Sequence, residues 1–190
     1  MRTEFRRGAL RAAALLFAFS IAGCSGSGTK ETEPEAGRTT GTVIEDQSIE
    51  MKALRRIYKE STVYERTHIN VTSYNTVVLV TGEAPTEELR KQVIEIVRGV
   101  EKVSKVYDEV TIAAPSALTS RTSDTLLTGK VKAQLFGSKK LDATRVKVVT
   151  EKGVVYLMGL IPRAQGDAAA EVARRVSGVQ RVVKLFEYTD

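Results

Sequence analysis

The side chains able to do chemistry in this 190-residue chain are few, and their spacing does not build a catalytic centre. There is one thiol, Cys24, and one imidazole, His68. No Gly-x-Ser-x-Gly elbow and no phosphate-cradling Gly loop is present. His68 begins a β-type run without Cys, Asp or Glu at metal-ligand spacing, so it reads as structural. The acid pairs Glu87-Glu88 and Asp108-Glu109 fit a helix first turn and a soluble strand edge. Asn70-Val71-Thr72 matches a glycosylation sequon, but it falls inside a strand-like run. No enzyme activity, cofactor or metal is expected.

The position of Cys24 tells more than its reactivity. Arg2, Arg6, Arg7 and Arg11 precede an apolar stretch from Ala12 to Ile21, followed by Ala22-Gly23. A charged start, a short apolar run and small residues at the cut site make a secretory signal. As a helix the apolar run reaches only about 15 Å, half of a hydrocarbon core. No second cysteine exists with which to form a disulfide in an oxidising compartment.

Ile21-Ala22-Gly23-Cys24 resembles the lipobox of bacterial lipoproteins. That resemblance implies cleavage before Cys24, a diacylglyceryl group on its sulfur and an acyl group on its new amine. Ser25, where an Asp would cause retention, implies sorting to the outer membrane. Residues 1–23 are then a removed signal, and 24–44 a flexible tether rich in Gly, Ser, Thr, Glu and Pro. Without the signal the formal charge falls from +6 to roughly +3, since four basic residues and one acidic residue leave with it. So balanced a charge, with no aromatic-studded basic motif, speaks against nucleic acid.

The elements beyond the tether are set by an internal repeat. Ile69 to Gly82 matches Val146 to Gly159, and Val100-Glu-Lys-Val103 matches Val176-Ser-Gly-Val179. Two units follow, 45–112 and 122–190, joined by 113–121. In the first, residues 46–59 place Ile49, Ala53, Leu54 and Ile57 at helical spacing, with Asp46 or Ser48 as N-cap. Two β-rich runs, 68–74 and 76–81, form a hairpin, and in the second unit Gly153 supplies its turn. Pro85-Thr86-Glu87-Glu88 opens a helix to about Arg98, and a strand over 104–112 closes the unit. Gly82 and Gly159, each directly after a strand, read as tight-turn residues. The fold class is α+β: each unit is αββαβ, a small three-stranded sheet with two helices on one face.

This order, with Leu79-Val-Thr-Gly82, Tyr156-Leu-Met-Gly-Leu160 and Val176-Ser-Gly-Val179, resembles the BON domain of bacterial envelope proteins. Two tandem BON domains behind a lipobox are similar to dual-BON outer-membrane lipoproteins. The resemblance implies a periplasm-facing, lipid-anchored protein that binds anionic phospholipid and supports outer-membrane integrity. Lys102 stands where the family has Gly, so that turn is expected to differ or to lie away from lipid. Leu126 stands where the family's first helix of the second unit carries a membrane-facing aromatic after Asp-Thr.

The residues themselves indicate which unit meets lipid. Residues 45–112 hold more acidic than basic side chains, whereas 120–190 hold 13 basic and 7 acidic. Anionic headgroups should therefore prefer the second unit. Its first helix, about Ser123 to Phe136, turns Leu127, Val131 and Leu135 toward the sheet. Leu126, Gly129, Lys130, Lys132, Ala133 and Phe136 fall on the other side, the composition of a surface-lying amphipathic contact. Three uses of Leu126 and Phe136 stay open at this point: a bilayer, packing against the first unit, or idle exposure. An adaptor or chaperone-like module binding envelope protein partners through its sheets is the alternative function.

Overall fold

The computed structural model describes residues 38–115 and 118–190. The first domain comprises α1 (Thr40–Lys59), a one-turn α2 (Ser61–Tyr64), β1 (His68–Tyr74), β2 (Val77–Ala84), α3 (Glu87–Arg98) and β3 (Lys105–Ile112). The second comprises α4 (Leu118–Phe136), β4 (Val146–Glu151), β5 (Val154–Ile161), α5 (Arg163–Arg174) and β6 (Arg181–Tyr188). Each sheet has three strands with the middle one central: β1 pairs antiparallel and β3 parallel to β2, and β4 and β6 do likewise around β5. The expected αββαβ order holds in both copies, with α2 added.

Both first helices start earlier than the sequence suggests. Thr39 is the N-cap of α1, its hydroxyl accepting from the Thr42 N–H at 3.2 Å. The tether drawn to residue 44 therefore gives up its last residues to this helix, and α4 takes Leu118 onward from the linker drawn over 113–121. Asp46, expected as an N-cap, instead lies buried in the second turn of α1 and serves the hairpin. Its carboxylate accepts from the N–H groups of Asn75 and Thr76, each at 2.9 Å, and from the Ser73 hydroxyl at 2.7 Å. The Arg38 guanidinium closes over it at 2.8 Å and lies on the Tyr74 ring. Asn75 and Thr76 both take left-handed backbone (φ 52° and 65°), as a two-residue type I′ hairpin needs. The second domain repeats the device: Asp124 of α4 accepts from the N–H groups of Lys152 and Gly153 at 2.7 and 2.9 Å.

Gly82 and Gly159 are not turn residues. They sit inside β2 and β5, opposite Ile69 and Val146. A Cβ on Gly82, which has φ +122°, would stand 1.9 Å from the His68 carbonyl oxygen, and one on Gly159 2.5 Å from that of Arg145. Close backbone approach is what demands glycine here. The turn at Lys102 does not differ either. Lys102 adopts the same left-handed backbone (φ 70°) as Gly178 (φ 101°) in the other copy, and its ammonium pairs with Glu45 of α1, which a glycine could not do.

In each domain two helices cover one face of the sheet. Leu89, Val93, Ile94 and Val97 of α3 bury against Val78, Val80 and Val110. The second domain trades sizes across this layer. Gly166, Ala169, Ala170 and Ala173 of α5 leave room for Phe186 on β6, at the position Val110 holds in the first domain. Large-on-small replaces medium-on-medium, which keeps the interior filled.

The other faces of the two sheets meet. Tyr74, Val77 and Leu79 pack with Tyr156, Met158 and Leu185, bordered by Tyr107, Val149 and Val183. Strand alternation produces this: Val78 and Val80 face the helices while Val77 and Leu79 face the other domain. Polar contacts rim the seam. The Tyr74 hydroxyl donates to the Arg145 carbonyl at 3.1 Å, the Asn75 amide to Glu187 at 2.9 Å, and Lys147 pairs with Glu50 at 3.1 Å.

Candidate lipid-facing helix

α4 is fixed to its sheet along one side. Leu127, Val131 and Leu135 are buried, the Thr128 hydroxyl donates to that of Thr150 at 2.8 Å, and Asp124 holds the hairpin turn. These anchors decide which side faces outward. Leu126, Gly129, Lys130, Lys132, Ala133 and Phe136 are all exposed. Leu126 and Phe136 each keep 64% of their surface in solvent, so neither packs on the first domain. Of the three uses open from sequence, interdomain packing is excluded.

At 100° per residue, Leu126, Ala133, Gly129 and Phe136 fall in that order within about 80° of arc. Lys130 flanks this strip on one side and Lys132 on the other. A Cβ on Gly129 would meet nothing within 4 Å, so the middle of the strip is low and open. Two large apolar side chains about 15 Å apart thus stand at the ends of a flat floor bordered by ammonium groups. Such a face has no nucleophile and no acid–base pair. It can insert two apolar groups below headgroups while the lysines meet phosphates. Cys24 lies outside the described residues.

Sequence reasoning missed a larger apolar surface on the first domain. Among the described residues, Leu126 and Phe136 are the only exposed large apolar side chains of the second domain, whereas the first exposes Ile44, Met51, Leu54, Tyr58, Tyr64 and Ile112. Leu54, assigned from its spacing to the buried stripe of α1, is instead exposed. The signal was present: Ile44, Met51 and Tyr58 are spaced by seven residues, but a helix begun at 46 cuts the first of them off.

His68 is more embedded than its spacing in sequence suggests. β1–β2 pairing sets it across from Glu83, Nδ1 to Oε2 3.3 Å, and the second domain brings Glu151 close. Lys152 faces the fully buried Glu83 at 2.8 Å, and the Asn70 amide donates to Glu151 at 3.2 Å. Burial pushes the Glu151 carboxyl above the usual range, with the Glu83 charge adding to it and the Asn70 hydrogen bond and His68 opposing. These groups tie the two domains together at the seam.

Comparison with known proteins agrees with this architecture. The BON domain family matches residues 45–114 and 123–190, one match per domain. The chain is 36% identical over 153 residues to the outer membrane lipoprotein DolP of Haemophilus influenzae, covering 80% of this chain and 79% of that one. It is 36% identical over 157 residues to a 21 kDa hemolysin of Actinobacillus pleuropneumoniae, covering 83% and 81%. To the osmotically-inducible protein Y of Escherichia coli it is 28% identical over 145 residues, covering 75% and 72%. The chain belongs to the BON domain family, as a two-domain envelope protein similar to the outer membrane lipoprotein DolP.

Proposed function

We propose that this chain is a non-catalytic, periplasm-facing protein that is anchored in the outer membrane through acylated Cys24, binds anionic phospholipid through the outer face of α4, and supports membrane integrity. One observation carries the reading. Leu126 and Phe136 stay exposed on a helix whose other side is fully engaged, with Lys130 and Lys132 bordering them. Burying two such side chains in a bilayer returns roughly 1.5–3 kcal/mol each at full burial. Each lysine near an anionic surface adds about 1 kcal/mol. The two sheets cover one another's open faces, which leaves the adaptor reading only the sheet edges.

The test is sedimentation of the mature chain carrying Cys24→Ser, and so free of acyl groups, with phosphatidylglycerol vesicles at low and high salt. Binding that weakens with salt and falls sharply in the Lys130→Glu/Lys132→Glu variant is the expected result. Equal binding by that variant, or no binding by the parent, sinks the proposal.

A further inference from the structure

We infer that the outward face of α1, in the first domain, is a second contact surface for an anionic bilayer. The inference rests on the phospholipid reading above and extends it to a domain whose overall acidic balance argues against lipid.

Ile44, Met51, Leu54 and Tyr58 fall within about 80° of arc on α1, opposite buried Ile49, Ala53 and Ile57. They form a continuous exposed stripe about 20 Å long. Tyr64 of α2 extends it, its ring edge-on to Tyr58 with centroids 4.7 Å apart. A tyrosine pair beside aliphatic side chains suits the boundary between headgroups and acyl chains. Beyond the pair the surface opens into a cleft of about 800 Å³ lined by Leu54, Tyr58, Tyr64 and Ile69 together with Arg55, Glu65 and His68.

Four features point to anionic lipid as the occupant. The segment Met51-Lys-Ala-Leu-Arg-Arg-Ile-Tyr-Lys59 holds four cations and no acid, with Glu50, paired to Lys147, before it and Glu60 after it. Arg55 and Lys59 border the stripe in solvent, and neither enters an ion pair among the described residues. The chain also joins Cys24 to this domain first: the roughly 14 residues up to Arg38 reach at most about 50 Å when fully extended. Finally, α1 and α4 border the same edge of the seam. Glu50 of α1 holds Lys147 of β4, while Asp124 and Thr128 of α4 line the groove between β1 and β4. The apolar strip of α4 and the longer stripe of α1 thus belong to neighbouring helices.

The chain has no tryptophan, so single substitutions give background-free probes. The acyl-free mature chain would carry Tyr58→Trp, Met51→Trp or Phe136→Trp, all at exposed positions. Each would be mixed with vesicles of phosphatidylglycerol or of phosphatidylcholine, with and without brominated acyl chains. Blue-shifted emission and bromine quenching of the Tyr58→Trp and Met51→Trp probes in phosphatidylglycerol support the inference. Arg55→Glu/Lys59→Glu should then weaken that response roughly 25-fold or more, at about fivefold per cation lost.

If Phe136→Trp alone responds, the inference fails and the α4 reading stands. If the two α1 probes alone respond, the inference stands and the α4 reading fails. Silence of all three overturns both. A blue shift that follows protein concentration without lipid makes a second copy the occupant, and overturns the inference.

Discussion

The two aspartates that hold the hairpin turns do the same job in different surroundings, and replacing each with alanine separates the contributions. Asp124→Ala leaves two backbone N–H groups without their acceptor at a partly exposed turn, at about 1 kcal/mol each, or about 2 in all. Asp46→Ala removes the same two bonds and also strands the buried Ser73 hydroxyl, for about 1 kcal/mol more. It further breaks the buried ion pair between Asp46 and the Arg38 guanidinium, and losing one member of such a pair costs roughly 3 kcal/mol or more. The expected loss at Asp46 is therefore about 6 kcal/mol, on the scale of a whole domain's stability. Urea unfolding of the acyl-free chain reads both. With a slope of about 2 kcal/mol per molar, the midpoint should fall by about 1 M for Asp124→Ala and about 3 M for Asp46→Ala. Equal losses would refute the assignment of a buried ion pair at Arg38. No loss in either would refute the turn-holding role itself.

Three further outcomes follow from the backbone and the seam. Gly82→Ala should cost about 3 kcal/mol, through left-handed strain and collision with the His68 carbonyl, and more than Gly159→Ala, where φ is ordinary; the same urea curves decide. Because burial raises the Glu151 carboxyl, the folded state still holds this proton at a pH where the unfolded chain has lost it. The penalty is absent below the usual glutamate range and complete above the folded value, so it costs stability as pH rises through that window. Glu151→Gln, which keeps an acceptor for Asn70, should raise the urea midpoint over the parent at neutral pH and lose that advantage near pH 4. Burial, then the charge and hydrogen bond of Glu109, push the Tyr156 phenol up to about 12. An ultraviolet titration should show a late-ionising tyrosine that moves partway back in Glu109→Gln, with stability falling between the unfolded tyrosine value of about 10 and the folded one.

Much of the fold was legible because repetition doubled each signal. The Ile69–Gly82 and Val146–Gly159 blocks marked both hairpins, and the Pro-Thr-Glu-Glu start located α3 to within two residues. What was misread depended on partners far along the chain. Asp46 resembles an N-cap until the hairpin folds under it, because its ligands are the backbone groups of residues 75 and 76. Gly82 resembles a turn glycine because nothing local reveals that the His68 carbonyl will pass against it. Lys102 resembles a broken turn because the left-handed backbone is carried by a residue that seldom adopts it. On α4 the exposed face was readable from helical periodicity alone, since Leu127, Val131 and Leu135 fix the inward side. The stripe on α1 was missed because a helix begun at 46 leaves out Ile44 and because Leu54 was placed with the buried residues.

The seam between the sheets makes this chain a covalently fused dimer of two diverged copies. Uncovered, either copy would present Val77 and Leu79, or Tyr156 and Met158, to water, and a lone copy would need a second molecule to cover them. Joining them through one short segment replaces that encounter with an intramolecular one, at an effective concentration on the order of millimolar. Closure then no longer depends on how much protein the compartment holds. It also frees the two halves to diverge, so that one seam can carry ion pairs such as Glu83–Lys152 and Glu50–Lys147 that a symmetric pairing of identical copies would have to form twice.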